Sequence, residues 1–229
     1  ISLLGEEKVY TFLADDTPLA EFVFSSQEKI FARLEAMNFL SDKEKNGILI
    51  INVVASRLLL PQPDIFKKSE LILSVSKEYN LDKLVKSLSR NGYKKVSQVL
   101  SQGEYSLRGD ILDIFECSAQ YPYRIEFFGD EIDGIRIFNP ENQLSLKNVE
   151  QILIEPVTDL LLTEEDYARG QKNLEAALST VLDPSLKSYL EEVLSSAREQ
   201  FHHADIRKFL SLFYQKEWTI LDYLPTHTP

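Results

Sequence analysis

Residues 96–140 read VSQVLSQGEYSLRGDILDIFECSAQYPYRIEFFGDEIDGIRIFNP, and this stretch decides the fold of the middle of the chain. It contains four short apolar-rich runs separated by turn residues, a pattern that predicts a small antiparallel sheet. The strongest turn signal is Gly129-Asp130, which lies between two apolar runs and favours a tight hairpin. A second turn is predicted at Asn139–Asn142.

Strand alternation divides the side chains of residues 123–128 between two faces of that sheet. The side chains predicted to face the core are Tyr123, Ile125 and Phe127. Those predicted to point the other way are Arg124, Glu126 and Phe128.

The same alternation applied to residues 105–108 buries Tyr105 and Leu107 and turns Arg108 outward. Two outward arginines beside an outward phenylalanine have the composition of a protein-binding hot spot. The alternative is a solvated sheet face that carries one exposed phenylalanine, which is common in soluble proteins.

The composition argues against a chain that binds nucleic acid by itself. The 229 residues carry 25 basic and 36 acidic side chains, a formal charge of -11, and acids outnumber bases in each third of the sequence. Affinity for a phosphate backbone normally needs a basic patch. The densest basic cluster along the sequence is the pair Lys94-Lys95, although folding can still gather Arg108, Arg124 and Arg136.

The same composition indicates a cytoplasmic globular protein of one or two domains without a membrane partner. No apolar run approaches the roughly 18 residues that span a bilayer, and no secretory signal opens the sequence. The single cysteine, Cys117, rules out an internal disulfide and fits a reducing compartment. A start at Ile1 and an end at Pro229 suggest a fragment of a longer protein.

Three regions follow one another along the chain. Residues 1–78 are predicted to be α/β, with a helix at 27–39, a central parallel strand at 48–54 covered by helices, and a short strand at 71–75. Residues 79–155 are predicted to be an inserted α+β domain: a helix capped by Asn80 and ended by Asn91-Gly92, then the sheet, then a last strand at 149–157.

Residues 156–229 are predicted to be mainly helical and to continue the first region. Thr163 to Asp166 resembles a capping box with Asp in place of Glu, and Asp183-Pro184 is a typical helix start. Asp205 is expected to open a third helix.

Catalytic signatures are missing from the sequence. It contains no G-x-x-x-x-G-K-[ST], G-x-G-x-x-G or G-x-S-x-G motif, so it gives no support for nucleotide binding. His202, His203 and His227 lack partners at metal-ligand spacing, and Cys117 has no neighbour that would activate a thiolate. We therefore expect no catalytic residue, no metal and no cofactor in this chain.

Two sequence features invite a functional reading that we do not favour. The acidic side chains of the sheet region are Asp110, Asp113, Glu126, Asp130, Glu131 and Asp133. A catalytic pair among them would suit a hydrolase, but charged hairpin edges that discourage strand pairing explain them better. Arg108-Gly109-Asp110 spells an integrin-like tripeptide, in which the glycine more plausibly serves a bend.

The segments 92–115 and 122–146 resemble the module shared by UvrB and Mfd, the transcription-repair coupling factor family. The resemblance lies in the elements G-E-[YF]-x-x-R-G and P-Y-R-[IL]-[DE]-F-F. Flanking pieces at 47–61, 160–170 and 219–225 are similar to Mfd, and no aromatic-rich hairpin of the UvrB kind follows the strand at 48–54.

That resemblance implies a fold and a site. The fold is a degenerate helicase-like (RecA-type) domain lacking its start, with the small α+β domain inserted into it. In this family the inserted domain docks onto UvrA through the arginine of the R-G element, the arginine of P-Y-R and an aromatic of F-F. Those positions are Arg108, Arg124 and Phe128, and Glu126 shares their face.

The expected function is recruitment of UvrA to stalled RNA polymerase, without catalysis in this fragment. The resemblance places the ATP- and Mg-dependent DNA translocase, and the contacts with RNA polymerase and DNA, in other domains of the full-length protein. It also implies that a C-terminal domain covers the UvrA-binding face. A fragment of UvrB that contributes to ATP-dependent damage verification is the alternative.

Overall fold

The computed structural model describes residues 9–14, 27–42, 46–198 and 204–224. The chain folds into two units, of which unit 1 comprises residues 1–65 and 159–229 and unit 2 comprises residues 66–158. The boundaries expected from the sequence, after residues 78 and 155, both fall inside unit 2. The reason is that the strand at 71–74 pairs with a strand at 151–154, which joins the two edges of that unit.

The described ranges contain ten strands and six α-helices. The strands are β1 (Val9–Phe12), β2 (Ile48–Ile51), β3 (Leu71–Ser74), β4 (Lys94–Lys95), β5 (Glu104–Arg108), β6 (Ile111–Phe115), β7 (Tyr123–Phe128), β8 (Glu131–Phe138), β9 (Ser145–Val149) and β10 (Gln151–Ile154). The helices are α1 (Gln27–Ser41), α2 (Pro63–Lys68), α3 (Leu81–Arg90), α4 (Glu164–Leu178), α5 (Pro184–Arg198) and α6 (Leu210–Phe213). Short 3-10 segments cover Ala55–Arg57, Ala204–Phe209 and Ile220–Tyr223.

The fold is mixed α/β, as the sequence predicted, with antiparallel sheets in unit 2 and a parallel strand pair in unit 1. Among the described residues, no helix combines the length and the apolarity that crossing a membrane requires.

In unit 1, β1 and β2 form a two-stranded parallel sheet joined through α1, with Val9 opposite Ile48. The predicted parallel strand is present but shorter than expected, because Asn52 ends it: its side-chain carbonyl accepts a hydrogen bond from the Ala55 N–H at 2.8 Å. The expected helical cover on both faces is not seen among the described residues. Ile48 and Ile50 are both exposed, at 44% and 47%.

The helical part of unit 1 follows its capping signals. Thr163 and Asp166 form the predicted capping box at the start of α4, and Asp183 accepts a hydrogen bond from the Leu186 N–H at the start of α5. Helices α4 and α6 pack closely, since a Cβ added at Gly170 would lie 2.2 Å from the ring of Phe213. Where the sequence predicted a helix opening at Asp205, a 3-10 segment begins at Ala204 and continues into α6.

A buried carboxylate ties three separate segments of unit 1 together. Asp159 is fully buried and accepts hydrogen bonds from Arg33 of α1, at 2.8 Å, and from Arg207 of the 3-10 segment. Arg33 is itself 1% exposed and also donates to the carbonyl of Leu13 at 3.2 Å. Burial by itself raises the pKa of Asp159, but the attraction of the two guanidinium groups outweighs it and lowers that pKa to about 2.

Unit 2 contains a six-stranded sheet in the order β4-β5-β6-β7-β8-β9, and β10 pairs with β3 in a second, two-stranded sheet. All neighbours in the larger sheet are antiparallel except β4 and β5. The predicted last strand at 149–157 is divided in the structure. Val149 ends β9, and a new strand starts at Gln151, because the chain leaves β8 there to pair with β3.

Two hairpins of the sheet turn through Gly-Asp pairs. Gly109 and Gly129 have φ values of +61° and +63°, whereas the aspartates that follow them do not have positive φ. A positive φ at the first turn position only is the geometry of a type II′ turn, which glycine adopts without steric cost. The predicted hairpin at Gly129-Asp130 is therefore confirmed, and the glycine of the Arg-Gly-Asp tripeptide serves a second turn of the same kind.

Helix α3 begins and ends as the sequence predicted. The side chain of Asn80 accepts a hydrogen bond from the Lys83 N–H at 3.0 Å, and Gly92 adopts a φ of +88° after the last turn. Leu84 and Leu88 are buried, so α3 is amphipathic and lies against the unit with one face.

We predict that Asp159→Asn lowers the free energy of unfolding by about 3 kcal/mol, because it leaves the buried guanidinium of Arg33 without a counter-charge. Urea denaturation followed by circular dichroism measures this. Glu175→Gln is the matched control, since Glu175 pairs with Arg198 while both side chains are more than half exposed. The control is expected to lose less than about 1 kcal/mol, and an equal loss in the two variants would contradict the prediction.

We also predict that the stability difference between the wild type and Asp159→Asn depends on pH. Because the pKa of Asp159 is about 2 in the folded state and 3.8 ordinarily, its contribution is fully present above about pH 4. It is lost as the pH falls through 2. The stability difference between the wild type and Asp159→Asn is therefore expected to shrink between pH 5 and pH 2, and a constant difference would argue against an ionised Asp159.

Candidate functional site

The candidate site lies on the face of the six-stranded sheet that carries Arg124, Glu126 and Phe128. We call the side chains of Arg108, Asp113, Arg124, Glu126, Phe128 and Arg136 the arginine face. They come together because of the strand register: Asp113 lies directly opposite Arg124 on the neighbouring strand, and Arg124 lies opposite Arg136. Arg108 comes from β5, where it pairs with Ile111, two residues along from Asp113.

Asp113 holds both predicted arginines. Its carboxylate accepts hydrogen bonds from Nε and Nη2 of Arg124, at 2.7 and 2.8 Å, and from Nη2 of Arg108 at 2.8 Å. The Asp113 side chain is 2% exposed, so these bonds form away from bulk water, where charge-assisted bonds are strongest. Two arginines that are distant in sequence are thus fixed on one carboxylate.

Arg124 is less accessible than alternation predicted. Its side chain is 15% exposed, against 50% for Arg108. The guanidinium lies 4.4 Å from the centre of the Phe138 ring, and its Nη2 also donates to the Oε1 of Gln143 at 2.8 Å. The 139–144 turn therefore covers this arginine. The prediction that Arg124 points fully outward into solvent is wrong.

The bonds made by Arg124 also fix its charge. The hydrogen bonds to Asp113 raise the pKa of Arg124 above its ordinary value, against the opposing effect of burial. Arg124 is therefore permanently charged and largely immobilised. Its guanidinium Nε and Nη2 already donate hydrogen bonds within the chain.

Phe128 is the most exposed part of the face. It lies immediately before the Gly129-Asp130 turn and is 84% exposed, while the preceding Phe127 is 6% exposed. The two hairpin ends are joined by a hydrogen bond from the Phe127 N–H to the Asp110 carbonyl, at 2.9 Å. The ring therefore projects from a braced backbone, at the same end of the sheet as Arg108.

Glu126 is paired within the chain. Its carboxylate accepts a hydrogen bond from Nη2 of Arg136, and both side chains are about one third exposed. The Nε of Arg136 is buried without a hydrogen-bond partner. Three guanidinium groups and two paired carboxylates thus share this face, and the exposed Glu131, directly opposite Phe128 on β8, adds a third carboxylate.

Alternation identified Arg108 and Arg124, together with Glu126 and Phe128. It did not identify Arg136 or the residues that position these side chains. Asp113 carried a sequence signal, since alternation along β6 places it on the face opposite Leu112 and Ile114. Gln143 carried none. It has a φ of +63°, and its amide donates to the Pro140 carbonyl at 2.7 Å while its Oε1 accepts from Arg124.

A second group of potential ligands lies elsewhere in unit 2. In the described part of the chain, one ligand atom from each of Glu116, Cys117 and Glu155 lies within 4.8 Å of the others. Glu116 already accepts hydrogen bonds from the Cys117 thiol and from both the N–H and the hydroxyl of Ser118. Burial, and then the charge of Glu116, raise the pKa of the Cys117 thiol far above its ordinary value, so it stays protonated.

Among the described residues, the other candidate acidic side chains are not gathered into a group of potential metal ligands. His202, His203 and His227 lie outside those residues. Of the acidic side chains of the sheet region, Asp113 and Glu126 form ion pairs with arginines.

Comparison with known proteins agrees with the resemblance seen in the sequence. Residues 71–160 match the family described as the UvrB interaction domain. The chain is 31% identical over 235 residues to a "Transcription-repair-coupling factor" of Bacillus subtilis, covering 99% of this chain and 20% of that protein. It is 29% identical over 230 residues to the protein of the same name from Staphylococcus aureus strain bovine RF122. The chain spans about a fifth of the length of these relatives.

We predict that Asp113→Asn frees Arg124 and lowers the free energy of unfolding by about 2 kcal/mol, since a buried charged acceptor is lost. The Nε–H of Arg124, observed by NMR, is expected to exchange slowly in the wild type and rapidly in the variant. Asp133→Asn, at an exposed position of β8, is the control. Equal exchange rates in the two variants would show that Asp113 does not hold the arginine.

Proposed function

Since residues 71–160 match the UvrB interaction domain and nearly the whole chain is similar to one part of transcription-repair-coupling factors, we propose that this chain is a docking adaptor for UvrA in transcription-coupled repair. Its contact surface would be the arginine face. We favour this over a fragment of UvrB because the relatives reported above are similar over 97–99% of the chain and carry the coupling-factor name.

One observation carries the proposal: Phe128 is 84% exposed at the same end of the sheet as the half-exposed Arg108, and a hydrogen bond between the two hairpin ends holds its backbone in place. Exposing an apolar benzyl side chain to water is unfavourable. Burying it in a pocket of a partner contributes about 2 kcal/mol or more to the binding free energy at a hot spot. Rigid presentation reduces the entropy lost on binding.

The two arginines would have different roles in that contact. Arg108 donates a single hydrogen bond within the described residues, to Asp113, so its other nitrogens are available for a carboxylate or carbonyl of the partner. Arg124 would act mainly through its charge and through its hold on Asp113, since most of its side chain is covered. Glu126 would set the position of Arg136 and contribute less directly.

We further propose that unit 1 is a degenerate helicase-like domain without its own ATPase chemistry. The parallel pairing of β1 and β2 around α1 supports this, since a β-α-β crossover is the repeating element of such domains. In the full-length protein, the ATP- and Mg-dependent DNA translocase and the contacts with RNA polymerase and DNA would belong to other domains. A C-terminal domain would cover the arginine face until UvrA is needed.

Isothermal titration calorimetry of the chain with purified UvrA tests the proposal. Phe128→Ala is expected to weaken binding by about 30-fold, corresponding to about 2 kcal/mol, because the apolar anchor is lost. Leu182→Ala is the matched control, because Leu182 is 96% exposed and lies in unit 1. The control should leave the affinity unchanged.

Arg108→Ala is expected to weaken UvrA binding by roughly 10-fold, as loss of a charged hydrogen bond would. Arg57→Ala, at an exposed position of unit 1, controls for the change in charge. Arg124 variants are a poorer test, because they also remove two of the three hydrogen bonds that the buried Asp113 accepts from the arginines. Wild-type affinity in folded Phe128→Ala and Arg108→Ala proteins would exclude the arginine face as the contact.

A further inference from the structure

The turn between β8 and β9 places one glutamine against Arg124, and the backbone of that glutamine is strained. Gln143 has a φ of +63°, and within the described residues Ser76 is the other non-glycine residue with a positive φ. The left-handed region costs free energy for a side chain that carries a Cβ, and such residues persist where their surroundings hold them. A glycine or an asparagine would adopt this backbone more easily than a glutamine does.

The turn itself holds the backbone of Gln143. The Gln143 N–H donates to the Asn139 carbonyl at 2.8 Å, and the Asn139 N–H donates to the Leu144 carbonyl at 2.9 Å. The side-chain oxygen of Asn139 accepts hydrogen bonds from the N–H groups of Glu141 and Asn142, at 2.8 and 3.3 Å. Because these bonds close the loop, the glutamine backbone relaxes only if the turn opens.

Both ends of the Gln143 amide have partners. Its Nε2 donates to the Pro140 carbonyl at 2.7 Å, and its Oε1 accepts a hydrogen bond from Nη2 of Arg124 at 2.8 Å. Since the amide is neutral, it fixes the guanidinium group without cancelling its charge. The carboxylate in the same turn, Glu141, is exposed, and within the described residues Arg124 forms its ion pair with Asp113 instead.

Gln143 and Asp113 together occupy one edge of the Arg124 guanidinium group. Nε donates to Asp113, and Nη2 donates both to Asp113 and to Gln143. Within the described residues, Nη1 donates no hydrogen bond, and it is not among the buried nitrogens that lack a partner. Nη1 is therefore the part of the guanidinium group that remains open to solvent. The Phe138 ring, 4.4 Å from the guanidinium carbon, packs against the same group.

We propose that Gln143 is a positioning residue for the UvrA contact. This inference rests on the function proposed above. By accepting a hydrogen bond from Nη2, Gln143 completes the set of bonds that fixes the Arg124 guanidinium group. Arg124 then presents its charge to an acceptor oxygen of UvrA through Nη1, in a fixed direction, and keeps its hold on Asp113.

The physical benefit is pre-organisation. An arginine side chain loses conformational freedom when a partner immobilises it, and this loss weakens binding. In this chain, Gln143 and Asp113 hold Arg124 before UvrA binds. The backbone strain at Gln143 is then retained for recognition, because a side chain better suited to positive φ, such as asparagine, is one methylene too short to reach Nη2.

Gln143→Asn tests the proposal, because asparagine keeps the amide and tolerates positive φ but does not reach Arg124. Calorimetric titration of the 229-residue chain with UvrA is expected to show about 5-fold weaker binding. The thermal midpoint is expected to stay within about 4 °C of the wild type, because relief of strain and loss of one hydrogen bond oppose each other. Gln151→Asn is the matched control, since it makes the same change at an exposed glutamine of β10 and should preserve affinity.

NMR of the free chain supplies a signature that a purely structural role would not give. In Gln143→Asn, the Nη2–H signals of Arg124 are expected to exchange faster than in the wild type. The Nε–H signal is expected to stay slow, because its bond to Asp113 is unchanged. Gln143→Met is the second variant: it keeps the side-chain length but lacks the amide oxygen, and it should show the same exchange and the same loss of affinity.

Wild-type UvrA affinity in folded Gln143→Asn and Gln143→Met proteins would overturn the proposal, and so would unchanged Nη2–H exchange in both. Failure of the proposed function gives a different result, since UvrA would then bind Phe128→Ala and Arg108→Ala as tightly as the wild type. Weaker binding of Phe128→Ala together with wild-type binding of the Gln143 variants would keep the arginine face as the contact and exclude Gln143 from it.

Discussion

The arginine face depends on the buried carboxylate of Asp113. Without it, Arg108 and Arg124 would be two like charges on neighbouring parts of one sheet, and Arg124 would be covered without a counter-charge. With it, both guanidinium groups have fixed positions on the face of the sheet that also presents an exposed phenylalanine. The chain thus tolerates an exposed aromatic ring where a partner is expected, while the charges beside it are already ordered.

Unit 1 uses the same device for a different purpose. Asp159 also bridges two arginines, but here both the carboxylate and Arg33 are removed from water. Such a group contributes little net stability compared with an apolar core, yet its loss is costly, so it enforces one arrangement of the segments that meet there. In unit 2 the bridged arginines remain partly open to solvent, which leaves charge at the surface.

On the arginine face each guanidinium has a carboxylate within hydrogen-bonding distance, which suits a short-range, geometrically specific contact.

By itself, the sequence determined the local features that depend on near neighbours in the chain: the Gly129-Asp130 turn, the Asn80 cap, the Thr163 capping box, and the face on which Arg108, Arg124 and Phe128 lie. Alternation and capping involve only a few consecutive residues, so they can be derived from the sequence alone. Only the tertiary structure decided that Asp113 holds both arginines, that Gln143 and Phe138 cover Arg124, and that β3 joins β10. Those contacts link residues up to about 80 positions apart, and strand register and loop packing set them rather than any local pattern.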